Sequence, residues 1–264
     1  MPYLQIEGLK MFYVRRGKGP ETILLLHGNV SSTEYWNKFL KTLPDRYQAV
    51  AVDQRGCGKT EHAATGYNIP QFVEDLHQFT DRLGLKRFHL MGHSMGGQVS
   101  MLFALKHPDK VRTLAIMDSV PADGLLLNEE IRAYFAQMIN DPNILRQAMD
   151  TVVMPYGEGP GFAARATDIA LACAPQTMKE SLESMNQTRF LSDLSEITAP
   201  TLILHGKDDM TIPLELMVPT MKAILDARVV IFTRCGHSPQ VERPEEFAEA
   251  YLRFLRRHRI RKGK

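Results

Sequence analysis

The sequence predicts an α/β fold: a mostly parallel sheet flanked by helices and interrupted by a helical insertion. Three observations carry this expectation. Short continuous apolar runs, such as TILLLHG at 22–28, have the pattern of strands buried on both faces. Segments with apolar residues at helical spacing alternate with these runs. The alternation stops near residue 122 and resumes near 197.

In chain order, residues 3–16 alternate apolar and polar in two runs around Glu7-Gly8, the pattern of a hairpin. TILLLHG (22–28), YQAVAVDQ (47–54) and RFHLMGHS (87–94) read as buried strands. Before the last of these, 70–85 carries Phe72, Leu76, Phe79 and Leu83 at helical spacing. MGGQVSMLFALKHP (95–108) reads as a helix stopped at His107-Pro108, and VRTLAIMDSV (111–120) as the next strand. From 122 to 196 the segments read as helical, with turns at Asp141-Pro142 and at GEGPG (157–161). Strands return at PTLILHG (200–206) and ARVVIFT (227–233). A helix after Pro244 then turns Phe247, Tyr251, Phe254 and Leu255 inward. The expected division is a core of residues 1–121 and 197–264 and a helical cap of 122–196. The cap methionines Met138, Met149, Met154, Met178 and Met185 read as packing residues that also suit an adaptable apolar pocket.

At 264 residues, 44% hydrophobic and 23% charged, the chain suits one large globular domain with an insertion. No apolar run approaches the roughly 18 residues of a membrane span, and the N-terminus lacks a secretory pattern. Cys57, Cys173 and Cys235 are odd in number and far apart, which suits neither a disulfide framework nor a metal site. A cytosolic location, no metal and no membrane association are therefore expected. The net charge of +2 owes its sign to RRHRIRKGK at the C-terminus, read as a solvated tail. No motif supports nucleic-acid binding.

Two motifs compete for the chemistry. Gly58-Lys59-Thr60 looks like the end of a phosphate-binding loop, but the glycine required five positions earlier is Asp53, and no helix follows directly. Gly92-His93-Ser94-Met95-Gly96 fits G-x-S-x-G at a strand-to-helix junction, where a sharp turn lifts a serine hydroxyl above the sheet. The Met95 amide then opens a helix and suits an oxyanion. A serine nucleophile needs a base, and the base an orienting acid. Asp208 and Asp209 follow a late strand, His237 follows the last one, and Asp118 ends an earlier strand as a rival acid.

With LLLHGN (24–29), DQRGCG (53–58), GHSMGG (92–97), PTLILHGKDD (200–209) and CGHSPQVERPEEF (235–247), the chain resembles the α/β-hydrolase family along nearly its whole length. The resemblance implies an α/β-hydrolase fold and a triad of Ser94, Asp209 and His237, with Asp209 favoured over Asp208 by the family's spacing. It implies an oxyanion hole from the amides of Met95 and Asn29, with Val30 the near alternative. It makes 53–58 a structural loop. Dehalogenases and epoxide hydrolases of the family carry aspartate where Ser94 stands. C–C hydrolases often carry asparagine and tryptophan where His93 and Ser238 stand. The expected activity is cofactor-free hydrolysis of carboxylic esters of small to medium, largely apolar substrates. A lactonase, a C–C hydrolase and a ligand-binding signalling protein are the alternatives.

Overall fold

The computed structural model describes residues 2–157 and 160–258. The hairpin is β1 (Tyr3–Ile6) and β2 (Leu9–Gly17), turning at Gly8 with φ +65°. β3 (Glu21–Leu26), β4 (Tyr47–Val52), β5 (Phe88–His93), β6 (Val111–Met117), β7 (Thr201–Gly206) and β8 (Ala227–Phe232) follow. They form one eight-stranded sheet in the order β1-β2-β4-β3-β5-β6-β7-β8, parallel from β4 to β8 and antiparallel where β2 joins β1 and β4.

Alternate strand residues feed opposite cores, as the two-residue period of a strand requires. Leu24, Leu26, Leu90, Leu114 and Ile116 pack with α2 (Ile69–Arg82) and α3 (Met95–Lys106). Ile23, Leu25, Met91, Ala115 and Met117 pack on the other face with α1 (Asn37–Lys41) and the C-terminal helix. β8 departs from the buried pattern of its neighbours: it is the sheet edge, and Val229 and Ile231 are exposed.

Between β6 and β7 lie α4 (Glu129–Asn140), α5 (Pro142–Ala148), a π-helical turn over Met149–Val153, α6 (Pro160–Leu171) and α7 (Pro175–Gln187). Met138, Leu145, Met149, Met154 and Met178 form a third apolar cluster, over Tyr35 and Val241 of the remaining chain. α8 (Leu214–Ala223), α9 (Pro239–Glu242) and α10 (Pro244–Arg257) complete the molecule, and α10 buries Phe247, Tyr251, Phe254 and Leu255 as its spacing predicts. The turn expected at GEGPG lies partly, and the tail beyond His258 wholly, outside the described residues. Among the described residues no helix is long and apolar enough to cross a membrane.

Candidate active site

Strand register brings the chemistry to one edge. His93 pairs with Met117, and Met117 with Leu204, so Ser94 and Asp118 stand side by side one residue beyond their strands. Ser94 has φ +54° and ψ −120°, a conformation costly for a residue with a Cβ. The surroundings leave it no alternative. Its amide donates to the Met117 carbonyl at 2.9 Å, and its carbonyl accepts from Gly97 and Val120. A Cβ on Gly92 would lie 2.0 Å from the Gly96 carbonyl oxygen, and one on Gly96 2.5 Å from that of His27, so both flanking positions require glycine. Val30 (φ +42°) and Asp118 (φ +41°) are also left-handed, so three of the four such non-glycine residues cluster here. Strain of this kind is typical of functional sites.

His237 Nδ1 lies 2.7 Å from Asp209 Oδ2. Asp209 Oδ1 accepts from the amides of Thr211 (2.8 Å) and Ile212 (3.0 Å). Burial raises the Asp209 pKa, but His237 and the Ile212 amide outweigh it and hold the carboxyl below the usual range. An ionised carboxylate oxygen accepts only, so the His237 proton sits on Nδ1 and Nε2 is left as a base. The His237 ring pairs with Asp209 and not with Asp208, whose amide donates to the Cys235 carbonyl.

Three partners that sequence reasoning missed hold the His237 loop. His93 Nε2 donates to the His237 carbonyl at 2.7 Å, and burial lowers the His93 pKa to about 3, so it stays neutral. Glu242 is buried and accepts from the amides of Gly236 and Ser238 and from that of Tyr156 in the insertion. The His237 amide donates to the Val153 carbonyl at 3.0 Å, a bond from the π-helical turn. Only Glu242 left a sequence signal, as an acid five residues after the histidine.

A cavity of about 580 Å³ opens on Ser94 and His237. Asn29 and Val30 line it, and Met95 is buried beneath Ser94 at the first position of α3, where amides lack intrahelical acceptors. Much of the remaining wall comes from the insertion, with Phe135, Met138, Met149, Met178 and Met185, and from the segment after β7 that runs into α8 at Leu216. Glu130, exposed at the mouth, is the only lining carboxylate, and no Lys or Arg lines the cavity among the described residues.

The loop with Gly58-Lys59-Thr60 is built around Asp53. Asp53 accepts from the amides of Thr33 (2.6 Å) and Lys59 (2.8 Å), and Thr60 Oγ1 donates to its carbonyl. A Cβ on Gly58 would lie 2.1 Å from the Asp53 carboxylate. The amide that would cradle a phosphate is thus held by a side chain. Arg55 forms a buried two-pronged pair with Asp75. Cys57, Cys173 and Cys235 are free and buried.

The profile of the alpha/beta hydrolase family matches residues 23–250. A 2-hydroxy-6-oxo-6-(2'-aminophenyl)hexa-2,4-dienoic acid hydrolase of Metapseudomonas resinovorans is 27% identical over 97% of this chain and 90% of its own. A monoacylglycerol lipase, abhd6-B, of Xenopus laevis is 28% identical over 96% of this chain and 81% of its own. Among solved structures, a bacterial membrane phospholipase A described as a virulence factor superposes with a TM-score of 0.87 at 28% identity, covering 98% of this chain and 86% of that one.

Proposed function

The chain belongs to the alpha/beta hydrolase family, and we propose that it is a serine hydrolase cleaving neutral carboxylic esters with small to medium apolar acyl groups. One observation carries this reading: a single apolar cavity reaches both Ser94 and His237, and His237 is oriented by Asp209 at 2.7 Å. Ser94 Oγ attacks the ester carbonyl and His237 Nε2 takes its proton. The amides of Met95 and Asn29 receive the oxyanion. Collapse expels the alcohol, which takes the proton back from His237 and leaves Ser94 acylated. Water, deprotonated by His237, then releases the acid.

The lining separates this reading from C–C hydrolysis. The similar C–C hydrolases act, by their names, on dienoic acids and dienedioates, which carry carboxylates. A carboxylate taken from water needs a cation or a set of hydrogen-bond donors, and among the described residues no Lys or Arg lines this cavity. The lipase and the phospholipase, by their names, act on lipids, in keeping with an apolar wall. At about 30 Å³ per water-sized group, the cavity has room for roughly 20 such groups, enough for a medium acyl chain and its alcohol. In this reading 122–196 is a cap that sets acyl choice, and the free buried thiols suit a reducing cytosol.

Steady-state hydrolysis of p-nitrophenyl esters of graded acyl length is the test. Sustained turnover with an optimum at intermediate length is expected. A single stoichiometric release without turnover would instead make the protein a ligand-binding member of the fold. Faster cleavage of a 2-hydroxy-6-oxo-dienoate than of every ester would replace the reading with C–C hydrolysis.

A further inference from the structure

Asp118 ends β6, directly beside the nucleophile's strand, and is fully buried in a left-handed conformation. Its Oδ1 accepts from the Gly206 amide at 2.8 Å. Its Oδ2 is buried with no hydrogen-bond partner. Asp118, His205 and Asp209 each bring one oxygen or nitrogen within 4.8 Å of the others. That spacing would suit a cation, but most of the atoms are committed. Asp209 uses both oxygens, on His237 and on the amides of Thr211 and Ile212. His205 Nε2 donates to the Ile212 carbonyl at 3.0 Å, so in the neutral ring Nδ1 is a lone pair, 3.7 Å from Asp118 Oδ1. Only Asp118 Oδ2 and His205 Nδ1 remain, too few donors for a metal.

Two adjacent buried carboxylates do not both ionise. Their partners decide which one keeps a proton. Asp209 has three donors, one of them the His237 ring, and Asp118 has the single Gly206 amide. Burial first, then the charge of Asp209, push the Asp118 pKa well above the carboxylate range. The other titratable groups facing Asp118 are His205 on β7 and Cys235 and Glu242 beyond β8. None supplies a positive charge that would ionise it, since burial also holds His205 neutral.

We propose that Asp118 is a positioning residue: a neutral carboxylic acid whose Oδ2–H donates to Asp209, fixing that carboxylate against His237 and sharing part of its charge. This rests on the triad reading above. Removing the donor leaves more charge on Asp209, which favours the His237 imidazolium and moves the acid limb of kcat/KM to higher pH.

The experiment has two arms. Infrared difference spectra of wild type against Asp118→Asn, taken at about pH 8 where a free carboxyl is ionised, should show the carbonyl band of a protonated acid in wild type alone. Its absence overturns the proposal whatever the enzyme hydrolyses, so this arm stands apart from failure of the esterase reading. In the second arm, Asp118→Leu keeps the bulk without a donor. It should lower kcat by up to about 100-fold and raise the acid limb by up to about one unit. Asp118→Asn, which donates N–H instead, should recover most of the loss with the limb near its wild-type position. A limb moved to lower pH in Asp118→Asn would mean that Asp118 is normally ionised. Wild-type kinetics in both variants would mean that it positions nothing. Either result overturns the proposal.

Discussion

The sheet edge that carries Ser94 and Asp118 and the helical insertion above it are built on different principles. At the edge, residue identity is dictated atom by atom. Gly92 and Gly96 have no room for a methyl group, Ser94 is held at positive φ, and every oxygen of Asp209 is matched to a donor. In the insertion, Met138, Met149, Met178 and Leu182 fill space with flexible apolar bulk, and what matters is their shape and number. The two regions therefore fail differently. Under the proposed function, substitutions at the edge should abolish chemistry with little change in shape, and substitutions above it should change which molecules fit.

The severest way to break the comparison is Ser94→Ala. It should cost about 10⁶-fold in kcat with a near-native melt, and a fluorophosphonate should label wild type once, on Ser94. Label on another serine, or turnover in the alanine variant, would remove the edge from the chemistry. Next is Asp209→Asn, which allows the wrong His237 tautomer. It should lower kcat by up to about 10⁴-fold, whereas Asp208→Asn stays near wild type. Equal losses in the two would mean that the specified hydrogen bonds are not what the triad depends on.

Met178→Trp probes the insertion. It should lower kcat/KM for the longest accepted acyl esters by about 10–200-fold relative to the shortest, at a stability cost of about 1–3 kcal/mol. A uniform loss across chain lengths would mean that the wall does not set acyl choice. Stability against acid is a separate probe of the core. His27, His89, His93 and His205 are held neutral by burial, His89 at about 4 and His93 at about 3. The unfolded chain takes up protons below about pH 6.5 and these folded sites do not. Stability is therefore full above that pH and is lost on acidification, by up to about 1.4 kcal/mol per unit per imidazole. None of the nine histidines lies in the insertion, so hydrogen exchange at about pH 5 should accelerate first in the core strands. Acceleration confined to α4–α7 would contradict this.

The same contrast explains what was legible in the sequence. Runs such as TILLLHG show their burial directly, because strands covered on both faces have no polar side. Ser94 announces itself through glycines that the turn requires. Asp209 over Asp208 came only from resemblance, since neighbouring acids on a turn look alike until the chain folds. The bonds from His93 to the His237 carbonyl, from the His237 amide to the Val153 carbonyl and from the Gly206 amide to Asp118 join residues 84 to 144 positions apart, one of them through backbone atoms alone. Side-chain pattern cannot encode such contacts. β8 was legible as a strand, but its valine and isoleucine say nothing of its being the sheet edge.

The bond between the His237 amide and the Val153 carbonyl ties the insertion to the loop that carries His237. Pro155 lies against Gly236, and Tyr156 is tied to Glu242, so this side is fastened three times over. Lifting the whole insertion to admit a molecule would drag the base out of register with its aspartate. Leu126, Tyr134 and Met210 of the cavity wall stand exposed and take no part in these ties. On the proposed esterase reading, the enclosure behaves as a drawer rather than a lid: an acyl chain that enters past these exposed residues leaves the imidazole still.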